Sequence, residues 1–429
     1  MTCELLQQVR IVDPVSETDR VADVLIAEGR IEAIADTVSS MPANTLTHDC
    51  RGMVLGPGLV DLYSHSGEPG FEARETLNSL TQAAVAGGFT RLAILPDTNP
   101  PLDHPAGLAL QTYSEGTESS VGPQSLIQLY YWGALTLGAQ GEEMTELAEL
   151  ASAGVIGFTD GKPLQNSALL RRLLEYLHPF SQPVALWPCD LSLSGNGVAR
   201  EGTDSIHLGL LGNPAIAETT ALATLLECVA AIGTPVHIMR VSTARSVELI
   251  QMAKAQGLPI TASTTWMHVL LNTQALKSYS PHLRLDPPLG CPQDQQALIQ
   301  GLETGVIDAI AIDHTPYTYE EKTVAFTEAP PGAIGLELAL PLLWQTFVGV
   351  GRWSALQLWR CLSTHPAHCL HQTPATIELG QMAELTLMDP QQSWRVDENT
   401  LNSRSANTPW LGQQLSGRVI RTWCPPRQQ

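Results

Sequence analysis

Apolar residues in the middle of the chain fall into short, nearly unbroken runs separated by longer stretches with helical spacing. The runs are Gly58–Leu62, Arg91–Leu95, Leu126–Tyr131, Val155–Thr159, Val184–Trp187, Val236–Val241, Ile260–Ser263 and Ala309–Asp313. Continuous apolar runs of this length, bounded by glycine, proline and aspartate, predict strands buried on both faces. Between them Glu75–Gly87, Glu142–Ala153, Ser167–Leu177, Glu218–Ile232 and Ala244–Gln256 carry the helical pattern. Eight strand–helix units in series predict an α/β chain built on a (β/α)₈ barrel of the TIM type over 57–370.

The two ends read differently. Val9–Val12, Val21–Ile26 and Arg30–Ile34 before the barrel, and Ile377–Met388 and Gly417–Trp423 after it, are strands joined by turns. They predict a small composite β-sandwich made of 1–56 and 371–429. Composition supports one large core: 44% of the 429 residues are hydrophobic and mean hydropathy is +0.02. A formal charge of −20 argues against nucleic acid or an anionic membrane as a partner, because phosphates are repelled. Eight cysteines without C-x-x-C spacing read as reduced thiols. The first residues lack a signal-peptide pattern and no apolar run reaches membrane-spanning length, so a cytoplasmic location is expected.

In a barrel of this kind the chemistry belongs at the C-terminal ends of the strands. Those ends supply Asp61, Tyr63 and His65, placed on one face by the period of two, then Asp97 and Asn99, and Asp160. Next come Pro188, Cys189 and Asp190, His237 and Arg240, His268, and finally Asp313, His314 and Tyr317. A metal site needs imidazoles and carboxylates converging on one point. His65, Asp160 and Asp313 offer three such groups, with His268 or His314 as a fourth. Pro188 offers no donor atom, and Arg240 brings a permanent positive charge. Without further partners, His65 and His314 read as barrel-mouth histidines bonded to the backbone, Asp313 as a satisfied carboxylate, and His237 as buried scaffold. His365, His368 and His371 share helix spacing and read as scaffold too, and the loop Tyr317–Lys322 reads as a solvated face.

Ordered motifs along the whole chain make the relationship specific. They are Pro57–Leu62, Glu68–Gly70, Ala86–Thr90, Pro96–Pro100, Phe158–Pro163, Val236–Ser246, Pro287–Leu289, Ile312–Pro316, Glu320–Lys322 and Gly332–Glu337. Through them the chain resembles the dihydroorotases of the long-chain (class I) type, within the amidohydrolases. The resemblance implies a zinc-activated hydroxide, an aspartate after the last strand as proton shuttle, and reversible cyclisation of carbamoyl aspartate to dihydroorotate in pyrimidine synthesis. It places the family's His-x-His on Tyr63 and His65, the aspartate of its Ser-Asp-Asp-Gly motif on Asp160, two further histidine ligands on Pro188 and Arg240, and its catalytic aspartate on Asp313. Of the substrate positions, the arginine falls on Gly67, an asparagine on Asp97 and a histidine on Tyr317, while Asn99 and His314 remain as candidate substrate contacts. Losing the arginine alone removes about 2 kcal/mol of binding to a dianion.

Two functions follow from this pattern. One is a dihydroorotase-like chain that has lost catalysis and persists as an assembly partner of aspartate carbamoyltransferase, as inactive chains of this general kind do. The other is an active dihydroorotase or related cyclic-amide hydrolase holding one metal through His65, Asp160 and Asp313. An ion-pair network around Arg240, standing in for zinc, belongs to the first. Oligomerisation fits both.

Overall fold

The computed structural model describes residues 3–109 and 127–425. Seven strands drawn from the two ends of the chain make one sheet: β1 (Cys3–Asp13), β2 (Thr18–Ala27), β3 (Arg30–Ala35), β4 (Thr45–Asp49), β5 (Val54–Pro57), β16 (Leu385–Arg395) and β17 (Gln414–Trp423). Their order is β17-β16-β5-β1-β2-β3, with β4 paired to β1. The strand expected over Ile377–Met388 begins only at Leu385, where antiparallel pairing with Pro57 of β5 starts. Buried Leu6, Val9, Ile11, Val24, Leu55, Leu385 and Leu387 form its core.

The remaining strands form the barrel: β6 (Leu59–Ser64), β7 (Phe89–Ile94), β8 (Gln128–Gly133), β9 (Gly157–Phe158), β10 (Val184–Leu186), β13 (Val236–Ile238), β14 (Ile260–Thr265) and β15 (Ala309–Ala311). Between β10 and β13 a two-stranded ribbon intervenes, β11 (Ala199–Arg200) with β12 (Gly212–Asn213). All eight expected barrel strands are present, in sequential parallel order. Only residue 126 of the expected third strand lies outside the described residues. The barrel interior alternates small and large side chains, with Ala93, Ala185, Ala309 and Ala311 against Trp132 and Tyr63.

The seam between β15 and β6 closes just beyond the last strand. Asp313 N donates to Tyr63 O at 3.2 Å, and His65 N donates to His314 O at 2.9 Å. Asp61 completes the seam by accepting from Ile312 N (2.8 Å) and Ser64 Oγ (2.5 Å). Irregular register at Asp61/Ser64 turns Asp61 off the face expected for it, so it serves the seam and not the pocket. Fully buried, its carboxyl is pushed up to about 7. No helix among the described residues is long and apolar enough to cross a membrane.

Candidate active site

Two of the expected strands stop short, and this builds the site. β13 ends at Ile238 and not at Val241, because Arg240 takes a left-handed backbone (φ +54°). β15 ends at Ala311 and not at Asp313, which is left-handed as well (φ +52°). A residue with a Cβ in that region costs about 1–2 kcal/mol. The two residues meet across the mouth. Arg240 Nε donates to Asp313 Oδ2 at 2.9 Å and Nη2 donates to Oδ1 at 2.6 Å, a two-pronged pair at the strand ends in which Arg240 is buried and Asp313 partly so. Arg240 Nη1 donates to Gly161 O at 3.0 Å, and the guanidinium lies 4.7 Å from the Trp187 ring centre.

Tyr63 fills the floor beneath this pair. Its hydroxyl accepts from Arg240 N at 3.1 Å and lies 3.0 Å from Ser263 Oγ, which in turn meets His237 Nε2 at 2.8 Å. Burial keeps His237 neutral, down at about 3, and its other nitrogen bonds Thr261. The expected scaffold role of His237 matches these contacts.

His65 extends the charge chain outward. Its Nδ1 is 2.5 Å from Asp97 Oδ2, and its Nε2 is 3.6 Å from Asp313 Oδ1. Arg240 Nη2 stands 3.3 Å from the same Nε2, a contact suited to a neutral imidazole. Burial also opposes the charge, yet the flanking carboxylates Asp97 and Asp313 outweigh both and raise the imidazole to about 9. The result is an alternating row, Asp97⁻, His65⁺, Asp313⁻, Arg240⁺. Asp313 is held well below the ordinary carboxylate range, because Arg240 overcomes the opposing effect of burial. Asp97 is lowered as well, with His65 overcoming burial.

Asp160 does not join this row. Its oxygens accept from Thr136 N (3.0 Å) and Thr136 Oγ1 (2.6 Å), and burial pushes its carboxyl up. The expected trio of His65, Asp160 and Asp313 is therefore split: two members share the pocket and the third faces a neighbouring loop. No group of three or more histidine, cysteine or carboxylate side chains suited to a metal occurs among the described residues. His268 lines the pocket, but its nitrogens face Thr265 Oγ1 (2.7 Å) and Pro288 O (3.3 Å). Burial lowers it to about 4.

The pocket is a cavity of about 210 Å³. Gly67, where the resemblance places an arginine, lines it, and a Cβ there would stand 2.2 Å from Glu75 O, so the backbone admits no side chain. Tyr317 also lines it, its ring flanked by Arg74 at 4.7 Å and Lys322 at 5.1 Å. The loop Tyr317–Lys322 is the expected solvated face only in part: Tyr319 and Glu320 are exposed, whereas Lys322 is buried, donates to Pro330 O at 2.6 Å, and is lowered to about 7 by that burial. Asn99 is exposed and does not line the cavity. His314 is turned away, accepting from Gly335 N at 3.2 Å and facing Glu75 Oε2 at 3.4 Å. The cavity also exposes Arg74, Lys162, Trp187 and Asp286, which the sequence reading did not single out. Asp286 stands directly before the Pro287–Leu289 motif, a signal that was available. Arg74 is bound two-pronged by Glu321 and carried no such signal.

Comparison with known proteins meets this geometry. A family model described as dihydro-orotase-like matches residues 52–246. The Synechocystis sp. "Probable dihydroorotase-like protein" is 44% identical, over 98% of this chain and 99% of its own length. The chain belongs to the dihydroorotase-like family. A dihydroorotase of Pelobacter propionicus is 38% identical over 97% of each chain. Among solved structures, the L-hydantoinase of Arthrobacter aurescens superposes with a TM-score of 0.83 over 100% of this chain and 98% of its own, at 21% identity, which speaks to the fold alone.

In this dihydroorotase-like chain the residues on which the resemblance places the metal ligands do not fit a metal ion. Tyr63 has its hydroxyl committed to Arg240 N and Ser263, Pro188 has no donor atom, and Arg240 is itself a cation. Both oxygens of Asp313 are taken by the guanidinium. A dication here would face a fixed positive charge within bonding distance of its remaining carboxylate.

Proposed function

We propose that this chain is a dihydroorotase-like protein of pyrimidine biosynthesis whose catalysis is impaired, acting as a non-catalytic partner of aspartate carbamoyltransferase. One observation carries the impairment: the two-pronged pair between buried Arg240 and partly buried Asp313. A proton shuttle must accept a proton from the attacking water and return it to the leaving nitrogen, with a pKa near the working pH. Asp313, held low by Arg240, is a poor base. Charged His65 donates at the site and cannot accept there. A dianionic substrate would enter a mouth that presents Asp97 and Asp286, with Gly67 where an arginine is expected and Arg74 already bound to Glu321. The alternative with a single metal on His65, Asp160 and Asp313 gains nothing from a geometry in which Asp160 faces Thr136. Retained fold motifs around a replaced centre support a chain kept for its surface.

The test uses the purified chain, offered zinc and then dialysed. Bound metal, dihydroorotate formation and co-elution with aspartate carbamoyltransferase are measured together. The expected result is substoichiometric zinc, no turnover above buffer, and co-elution. Stoichiometric zinc with a turnover abolished by Asp313→Asn would overturn the impairment, and separate elution would overturn the partnership.

A further inference from the structure

Ion pairs account for most of the charge in the cavity wall. His65 lies between Asp97 and Asp313, Arg240 grips Asp313, and Arg74 grips Glu321. Two charges of the wall are left over. Asp286 is half-buried, and among the described residues it accepts no hydrogen bond and forms no ion pair. The three arginines whose fields reach it direct their N–H groups elsewhere. Arg240 donates to Asp313 and Gly161 O, Arg200 to Ser242 Oγ and Asn213 O, and Arg284 to Leu285 O. Burial pushes the Asp286 carboxyl up in spite of those fields. Lys162 is exposed, meets Ala139 O at 3.4 Å, and forms no ion pair among the described residues. Two further groups of the wall are incompletely bonded. Trp187, 7% exposed, has no partner for its indole Nε1–H, and Asp97 has none for Oδ1. Buried polar atoms are as a rule satisfied, and neither backbone nor side chain satisfies these two.

These groups specify a ligand by its charge. A dianion would bring Asp286 and Asp97 no donor, and a plain cation would enter the fields of Arg240, Arg284 and Arg200 with nothing to offer Lys162. A molecule with one charge of each sign answers both leftover groups. The cavity of about 210 Å³ equals the liquid volume of about seven waters at ~30 Å³ each, so the ligand is small. We propose that the cavity binds a small amino acid as its zwitterion, with the ammonium on Asp286 and Asp97 Oδ1 and the carboxylate on Lys162 and the Trp187 indole. The inference rests on the preceding reading only in taking the cavity to work without a metal.

The test is isothermal titration calorimetry of the full chain, freed of zinc by chelation, with the standard L-amino acids and β-alanine as probes. For the tightest binder, the amine lacking its carboxylate and the acid lacking its amino group follow, with carbamoyl aspartate as the dianion. At least one amino acid is expected to bind, and each of these three comparison compounds to bind at least tenfold more weakly. Asp286→Asn is expected to weaken binding at least tenfold. Trp187→Phe, which keeps a ring for Arg240, and Lys162→Met, at an exposed position, are each expected to weaken it a few-fold. Circular dichroism and apparent Tm verify that the variants fold. No binding by any amino acid would overturn the inference and leave the impairment of catalysis standing. An amine or acid analogue that binds as tightly as the amino acid would overturn the zwitterion, and folded Asp286→Asn with unchanged binding would overturn the place of the ammonium. Zinc uptake with dihydroorotate formation in the same sample would overturn the impairment and this occupant together.

Discussion

Asp160 and Asp313 stand near the ends of barrel strands, and both come from motifs shared with dihydroorotases. Asp160 is satisfied by neutral donors, a hydroxyl and an amide of Thr136, and its carboxyl is pushed up by burial. Asp313 is satisfied by a guanidinium and a charged imidazole, and its carboxyl is pulled far down. Neutral donors only shape a loop, so Asp160 can keep its place while the centre changes. A pocket that holds Asp313 ionised must supply a cation, and here Arg240 is that cation. Retention of a motif residue therefore means different things at two strand ends of one barrel.

Breaking the centre should have the largest effect. Arg240→Ala leaves Asp313 and Asp97 facing one imidazole, and the loss of a buried partner costs about 3–5 kcal/mol. Denaturant midpoints measure it, and a cost no larger than that of an exposed arginine would break the comparison. The double variant Arg240→Ala/Asp313→Ala should lose less than the two single changes combined, since the pair acts as a unit.

The same substitution at the two aspartates sharpens it. Asp313→Asn strands a buried guanidinium and should cost about 3 kcal/mol. Asp160→Asn keeps an acceptor for Thr136 N, and the Thr136 hydroxyl can reverse its role, so about 1 kcal/mol is expected. Equal losses would erase the distinction. Tyr63→Phe falls between, at about 1–2 kcal/mol, because it removes the acceptor for Arg240 N.

The sequence made the barrel legible because its strands are continuous apolar runs, and run length and turn residues survive any change of chemistry at their ends. It made the losses at Tyr63, Pro188 and Arg240 legible for a similar reason: a missing donor atom is visible without coordinates. What it left out depends on direction. Strict alternation groups Asp61 with Tyr63 and His65, and the irregular register of β6 sends it to the seam. Asp160 was grouped with Asp313 by motif, but only the path of the Thr136 loop decides which way it faces. His314, next in the chain to Asp313, points to Glu75 because the left-handed Asp313 rotates the backbone between them.

The smallest expected effect is a pH dependence, and it tests the charge on His65. Its folded pKa of about 9 lies above the ordinary ~6.5, so the folded state holds the proton more tightly. The stabilisation is complete below pH ~6.5 and is lost as pH rises through about 9. Lys322, lowered to about 7, contributes the opposite slope over part of that range as its burial becomes less costly. Comparing wild type with His65→Gln at each pH cancels the Lys322 contribution. The gap in unfolding free energy should shrink by on the order of 1 kcal/mol between pH 6.5 and 9.5, a figure discounted because the ring is partly open to solvent. A gap that stays flat would mean a neutral imidazole accepting from Arg240. Asp97 would then lack its counterion, and the row of alternating charges would shorten to the single pair Arg240–Asp313.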